Sequence, residues 1–205
     1  MINEVQSRYT NESKSCSNLS CCLNIALLEI VPGENILDLG CGRGLETIEA
    51  AKLTAPNGIA TGLDLTPAMI EVAKENALSL SVTNVDFVLG NIEALPFRDS
   101  SFDAVISNCV INHASDKFLV FREIFRVLKN GGRFIISDAV TKYPLPLEIK
   151  NDPKAVADCF GGVITESEYL ESIKKSGFKY IEIIKEREYI KNGYDFKSIT
   201  IKAFK

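Results

Sequence analysis

Short apolar runs alternate with amphipathic stretches along most of the chain, and the first run sets the pattern. Ile36-Leu37-Asp38-Leu39 is apolar apart from one acid, and such a run bounded by glycine suits a strand covered on both faces. It opens into Gly40-Cys41-Gly42-Arg43-Gly44, where glycine lets the backbone bend sharply and sit close against a ligand. Leu45 to Leu53 then has helical spacing, and the free N–H groups of its first turn point back at whatever fills the glycine turn. Ile59 to Asp64 predicts a second strand ending in an acid. Thr66 suits a helix N-cap and Pro67 the first helical position, with Ile70, Val72, Ala73 and Ala77 continuing that helix.

The same alternation continues. Strands are expected at Val85–Leu89, Phe102–Ser107 and Arg133–Asp138, with two more near Tyr180–Ile184 and Ser198–Phe204. Ser115 or Asp116 caps a helix with an apolar stripe at Phe118, Phe121, Ile124, Phe125 and Leu128, which Gly131-Gly132 stops. A helical patch is expected around Val156–Phe160, and Thr165 with Glu168 forms a capping box before Tyr169, Leu170 and Ile173. Leu23 to Ile30 predicts a further helix packed on the sheet, ended by Pro32-Gly33. Strands alternating with helices predict a doubly wound, mostly parallel α/β sheet.

Composition bounds the rest. A chain of 205 residues with 46% hydrophobic content suits a single domain over 1–205 with a sizeable core. Residues 1–20 are expected to be a flexible, cysteine-containing arm, polar and rich in Ser and Asn through about residue 17. No apolar run approaches the ~20 residues of a membrane span, and no secretory leader is visible. Those features favour the cytoplasm, where the cysteines stay reduced. A net charge of −4 argues against a nucleic-acid partner. The six cysteines offer no pair of C-x-x-C hooks, and the single histidine, His113, excludes a multi-histidine metal centre.

Glycine-rich turns after a first strand serve two large groups of nucleotide binders. Dinucleotide enzymes use G-x-G-x-x-G, but here the last glycine slot is Leu45. The observed G-x-G-x-G after Asp38, followed by Asp64 at the end of the second strand, resembles the S-adenosylmethionine-dependent methyltransferases of the Rossmann-like class. That resemblance implies a seven-stranded sheet with one antiparallel strand near the C-terminus. It also implies a set of cofactor contacts. Gly40, Gly42 and Gly44 admit the methionine part with Asp38 beneath, and Asp64 binds the ribose. Leu65 and Met69 flank the adenine, Asn91 and the backbone of Ile92 read its edge, and Asn108 holds the methionine end. Many relatives carry Asp where this chain has Asn91. Read without the resemblance, Asp38 ties down a turn, Asp64 caps one, and Met69 is helix packing.

A narrower resemblance begins at Ser107-Asn108-Cys109-Val110-Ile111-Asn112. With Asp116-Lys117, Arg126 through Arg133, and Asp158-Cys159-Phe160-Gly161-Gly162, it is similar to the arsenite methyltransferases. The resemblance implies trivalent arsenic, as arsenite or its thiol adduct, held by Cys109, Cys159 and a third cysteine that aligns with Cys21. Cys16 and Cys22 are alternatives for the third. It also implies a cellular thiol as reductant. The soft metalloid prefers thiolate sulfur, and three sulfurs leave its lone pair free for in-line attack on a methyl group. Cysteine is also a common buried packing residue, which is the reading adopted for Cys41. Two further functions stay open on the residues alone. One is methylation of an organic small molecule with His113 as base, although a loop residue without a role fits His113 equally. The other is a non-catalytic, thiol-based metalloid binder.

Overall fold

Every strand among the described residues of the computed structural model joins one sheet, whose order is β3-β2-β1-β4-β5-β7-β6. The structure describes residues 2–13 and 24–205. In chain order the elements are α1 (Ile2–Ser13), a 3₁₀ turn (Ile25–Leu28), β1 (Ile36–Leu39), α2 (Leu45–Thr54), β2 (Ala60–Asp64), α3 (Pro67–Ser79), β3 (Val85–Leu89) and β4 (Phe102–Asn108). A second 3₁₀ turn (Ile111–His113) leads to α4 (Lys117–Val127), β5 (Leu128–Thr141), α5 (Leu147–Lys150), α6 (Pro153–Ala157), α7 (Glu166–Lys175), β6 (Lys179–Lys191) and β7 (Tyr194–Phe204). β1 pairs in parallel with β2 and β4, β2 with β3, and β4 with β5, while β7 runs antiparallel to both β5 and β6. The expected seven-stranded sheet with one reversed strand is therefore present.

β1 is buried at every position, which explains its almost unbroken apolar sequence. The larger core cluster lies between the sheet and α4 and α7. Phe121 meets Tyr169 edge-on at 5.3 Å between ring centroids, and Phe134 meets Phe178 at 4.8 Å. Asp116 caps α4 by accepting from the backbone N–H of Phe118 and Leu119. The Thr165–Glu168 capping box is formed at the start of α7. No helix among the described residues is long and apolar enough to cross a membrane.

Several expectations need correction. Thr66 occupies the N-cap of α3 but makes no side-chain cap bond; Asp64 Oδ1 accepts from its backbone N–H at 2.8 Å instead. Among the described residues of the helix expected over Leu23–Ile30, Ile25–Leu28 is helical, as a single 3₁₀ turn. α4 stops at Val127, before the glycine pair, because Leu128 already turns into the extended β5. β6 is far longer than its apolar segment, since pairing along β7 extends it. The polar N-terminal stretch, expected to be a flexible arm, contains α1, which packs on α3 and α6.

Candidate active site

In an open parallel sheet, ligands sit beyond the carboxyl ends of the strands, and here those ends converge on the glycine turn. Gly40, Gly42 and Gly44 all adopt left-handed backbone, with φ of 69°, 51° and 76°. At Gly40 a side chain is excluded outright, because a Cβ would stand 2.2 Å from Val110 Cγ2. Nothing lies within 4 Å of the corresponding point at Gly42, which leaves open space above the turn. The Gly42 N–H donates to Asp64 Oδ2 at 2.9 Å, so the second strand's acid is tied directly to the turn.

Asp38 is buried beneath, and Thr47 Oγ1 donates to its Oδ2 at 2.6 Å. Burial, reinforced by the nearby charges of Glu46 and Asp64, pushes its pKa up to about 7. Burial likewise raises Asp64. Asn108, the last residue of β4, accepts from Asn24 Nδ2 at 2.5 Å through Oδ1 and donates to Glu46 through Nδ2. The Leu65 carbonyl accepts from Gln6 Nε2 of α1 at 3.0 Å. Met69 is fully buried on α3. Asn91 Oδ1 accepts from the Glu93 N–H at 3.0 Å, and Ile92 packs into the main core.

Cys109 and Cys159 lie 50 residues apart in sequence, yet Cys159 Sγ stands 3.6 Å from the Cys109 carbonyl oxygen. Both hold positive φ, 55° and 52°. Left-handed backbone costs roughly 1–3 kcal/mol at a non-glycine residue and persists only where the surroundings enforce it. The Cys109 N–H donates to the Ser137 carbonyl at 2.8 Å, anchoring the turn to β5. Cys41 is buried in a packing cluster with Ile48 and Phe87. Cys21, with Cys16 and Cys22, lies outside the described residues. Among the described residues no three His, Cys, Asp or Glu side chains converge as a metal cluster.

His113 is not a bare loop residue. Its Nε2 lies 2.9 Å from Cys159 Sγ and 3.2 Å from the Tyr9 hydroxyl, and its Nδ1 lies 3.1 Å from the Val156 carbonyl. A carbonyl only accepts, so Nδ1 carries the proton and Nε2 is the acceptor that faces the thiol. Tyr9 also reaches Cys159 Sγ at 3.5 Å. Below this turn, Asn112 Nδ2 donates to Asp138 Oδ1 at 2.7 Å, and the Tyr169 hydroxyl donates to Asp138 Oδ2 at 3.2 Å. Burial raises the Cys159 thiol, which favours its protonated form.

Burial lowers His113 from 6.5 to about 4, against the opposing Val156 hydrogen bond. The imidazole is thus neutral when folded and takes a proton more readily when unfolded. Stability is lost as pH falls below 6.5 and levels off near pH 4. At pH 5 the loss attributable to this group is about 2 kcal/mol. Between pH 7 and pH 5, urea unfolding of the native protein should lose about 2 kcal/mol relative to His113→Gln, since the raised acids Asp38 and Asp138 titrate alike in both proteins. Parallel pH profiles in the two proteins would remove the buried neutral imidazole from the account.

Sequence reasoning missed Tyr9, Gln6 and Arg8, because a short polar helix carries no apolar stripe to announce it. Arg8 donates to the Ala157 carbonyl and pairs with Asp158 at 3.5 Å, which ties α1 to the Cys159 loop. Arg43 of the glycine turn donates to the Glu12 carbonyl at 2.6 Å, so α1 touches both halves of the site.

The family model described as a methyltransferase domain matches residues 30–177. The arsenite methyltransferase of Halobacterium salinarum is 41% identical over 165 residues, covering 80% of this chain and 42% of that protein. The demethylmenaquinone methyltransferase of Lactococcus lactis is 34% identical over 145 residues, covering 68% of this chain and 58% of that protein. Among solved structures, the arsenic(III) S-adenosylmethionine methyltransferase of Chlamydomonas reinhardtii superimposes with a TM-score of 0.78 at 30% identity, over 98% of this chain and 73% of that one. The chain thus spans less than two thirds of the length of these curated relatives. By the family model over residues 30–177 and the likeness to that solved structure, the chain belongs to the S-adenosylmethionine-dependent methyltransferases, where it resembles the arsenite methyltransferases.

Proposed function

We propose that this chain methylates trivalent arsenic held by the thiolates of Cys109 and Cys159. The residues at the glycine turn fit the family's cofactor: open space above Gly42, an acid at the end of β2, and carboxylates facing a group that brings positive charge. Gly40, Gly42, Gly44 and Asn108 would hold the methionine part and Asp64 the ribose. Leu65, Met69, Asn91 and Ile92 would surround the adenine. When bound, S-adenosylmethionine supplies an electrophilic methyl group on a positively charged sulfur.

The observation that carries the arsenic reading is the approach of Cys159 Sγ to the Cys109 backbone at 3.6 Å, directly after β4. Two soft donors, one directly after β4 and one on the loop after α6, suit a soft centre. The third sulfur would come from Cys21 or from a cellular thiol that also serves as reductant, which places the protein in a reducing compartment such as the cytoplasm. Each thiol loses its proton as the metalloid binds. The arsenic lone pair needs no general base, so the residues act by proximity and orientation, which supply up to ~7–11 kcal/mol.

The relative that acts on demethylmenaquinone favours a second reading, an organic acceptor with His113 as base. Against it, Nε2 is already engaged by Cys159, and a pKa of about 4 makes a weak base at neutral pH. The test is mass spectrometry of products from S-adenosylmethionine, arsenite and excess thiol. Methylated arsenic formed by the native protein and lost in Cys109→Ser supports the proposal. No methylated arsenic, despite measurable cofactor binding, would overturn it.

A further inference from the structure

Tyr9 and His113 meet over the Cys159 thiol, and neither has a task in the methyl transfer itself. The Tyr9 hydroxyl stands 3.5 Å from Cys159 Sγ and 3.2 Å from His113 Nε2, and Sγ stands 2.9 Å from Nε2. The two rings are perpendicular, with 5.7 Å between centroids. Each is also held from outside this triangle. His113 Nδ1 donates to the Val156 carbonyl at 3.1 Å, and Arg8 ties the turn of α1 that carries Tyr9 to the Ala157 carbonyl and to Asp158. Nε2 only accepts, so the triangle shares two hydrogens, one on Sγ and one on the Tyr9 oxygen.

Binding of arsenic takes one of these hydrogens away. Arsenite carries three hydroxyls. Each thiol that binds it forms an S–As bond, breaks an As–O bond and gives its proton to the departing hydroxide, which leaves as water. With Cys109 and Cys159 bound, one As–OH remains until a third sulfur replaces it. Cys159 then donates nothing, and Nε2 and the Tyr9 oxygen are left with a single hydrogen between them. Polar groups short of a partner away from water cost free energy. The remaining As–OH sits on the atom that Sγ binds, and it brings back one hydrogen. We propose that Tyr9 and His113 form an oxygen-recognising subsite for the third ligand of the bound metalloid, with the As–OH donating to Nε2 and accepting from the Tyr9 hydroxyl. This rests on arsenic being held by the two thiols. The subsite favours a metalloid that still bears a hydroxyl over one whose third substituent is carbon.

The test compares arsenite with phenylarsine oxide, which binds two thiols and keeps a phenyl ring in the third position. Both are titrated in competition with a small dithiol. The protein is the full chain carrying Cys16→Ser, Cys21→Ser and Cys22→Ser, which leaves Cys109, Cys159 and the buried Cys41. In that background Tyr9→Phe should weaken arsenite roughly 3- to 10-fold, the worth of one neutral hydrogen bond, and leave phenylarsine oxide within about twofold. His113→Leu should show the same selective loss. A change in either variant that falls equally on both arsenicals, or no change at all, overturns the subsite. Cys159→Ser should abolish tight binding of both arsenicals. If phenylarsine oxide binds Cys159→Ser as tightly as before, the two-thiol reading itself fails, whatever the role of Tyr9.

Discussion

Cys159→Ser is expected to lower arsenic methylation by at least roughly 100-fold while S-adenosylhomocysteine affinity stays within about twofold. The size of the effect follows from the chemistry of the donor. A serine hydroxyl is hard, stays protonated at neutral pH and gives trivalent arsenic no soft partner. Its geometry changes little, because a hydroxyl can still donate to His113 Nε2, which lies 2.9 Å from the present sulfur. Folding is therefore preserved, and the loss falls on the acceptor. The cofactor turn is reached through Asp38, Asp64 and Asn108, none of which contacts Cys159 among the hydrogen bonds described above. Product analysis by mass spectrometry alongside calorimetry separates the two effects. Retained methylation in Cys159→Ser would remove this thiol from the mechanism, and lost cofactor affinity would mark it as a structural residue.

Gly162→Ala is expected to have an effect nearly as large through the backbone. A Cβ at position 162 would stand 1.9 Å from the Asn112 carbonyl oxygen, which is main chain and cannot rotate away. The loop that carries Cys159 must then lift from the turn that carries His113. Overpacking of this kind costs about 1–3 kcal/mol. The melting temperature should fall, and arsenic methylation should fall much further than stability alone explains, since the Cys159–His113 contact depends on that close approach. Cofactor affinity should hold. Wild-type methylation rates in Gly162→Ala would show that the loop's placement is not required.

α1 adds a constraint of a different kind. It contributes little apolar surface, with Val5 its one buried hydrophobic residue among those described, and it is held mainly by polar contacts. Gln6 reaches the Leu65 carbonyl, Tyr9 reaches Cys159 and His113, and Arg8 reaches the Ala157 carbonyl. Elements held by few apolar contacts lie toward the low end of local stability.

The turn from β1 into α2, the acid ending β2, the capping box at Thr165 and the doubly wound order were all legible in the sequence. Each depends on residues close together in the chain: an apolar run, a glycine spacing, an acid at a strand end, a cap three residues from its partner. The family resemblance added the reversed β7, which local patterning did not reveal. The length of β6 was not legible, because its outer positions are exposed and only pairing with β7 extends them. The helix at residues 2–13 was not legible either, since polar side chains that meet distant backbone carbonyls leave no periodic signature.

The site divides in the same way. Sequence alone marked Cys109, Cys159, Asp38 and Asp64 as chemically notable and left His113 open between base and bystander. Only the tertiary structure decided that His113 Nδ1 meets Val156 and that Nε2 faces the Cys159 thiol. Likewise, only packing brought Glu46, Asn108 and Asn24 into one chain of hydrogen bonds. The reason is physical: periodicity and capping report interactions within one or two turns of chain. Burial, which sets these pKa values, and hydrogen bonds between residues 43 to 113 positions apart exist only once the sheet has assembled.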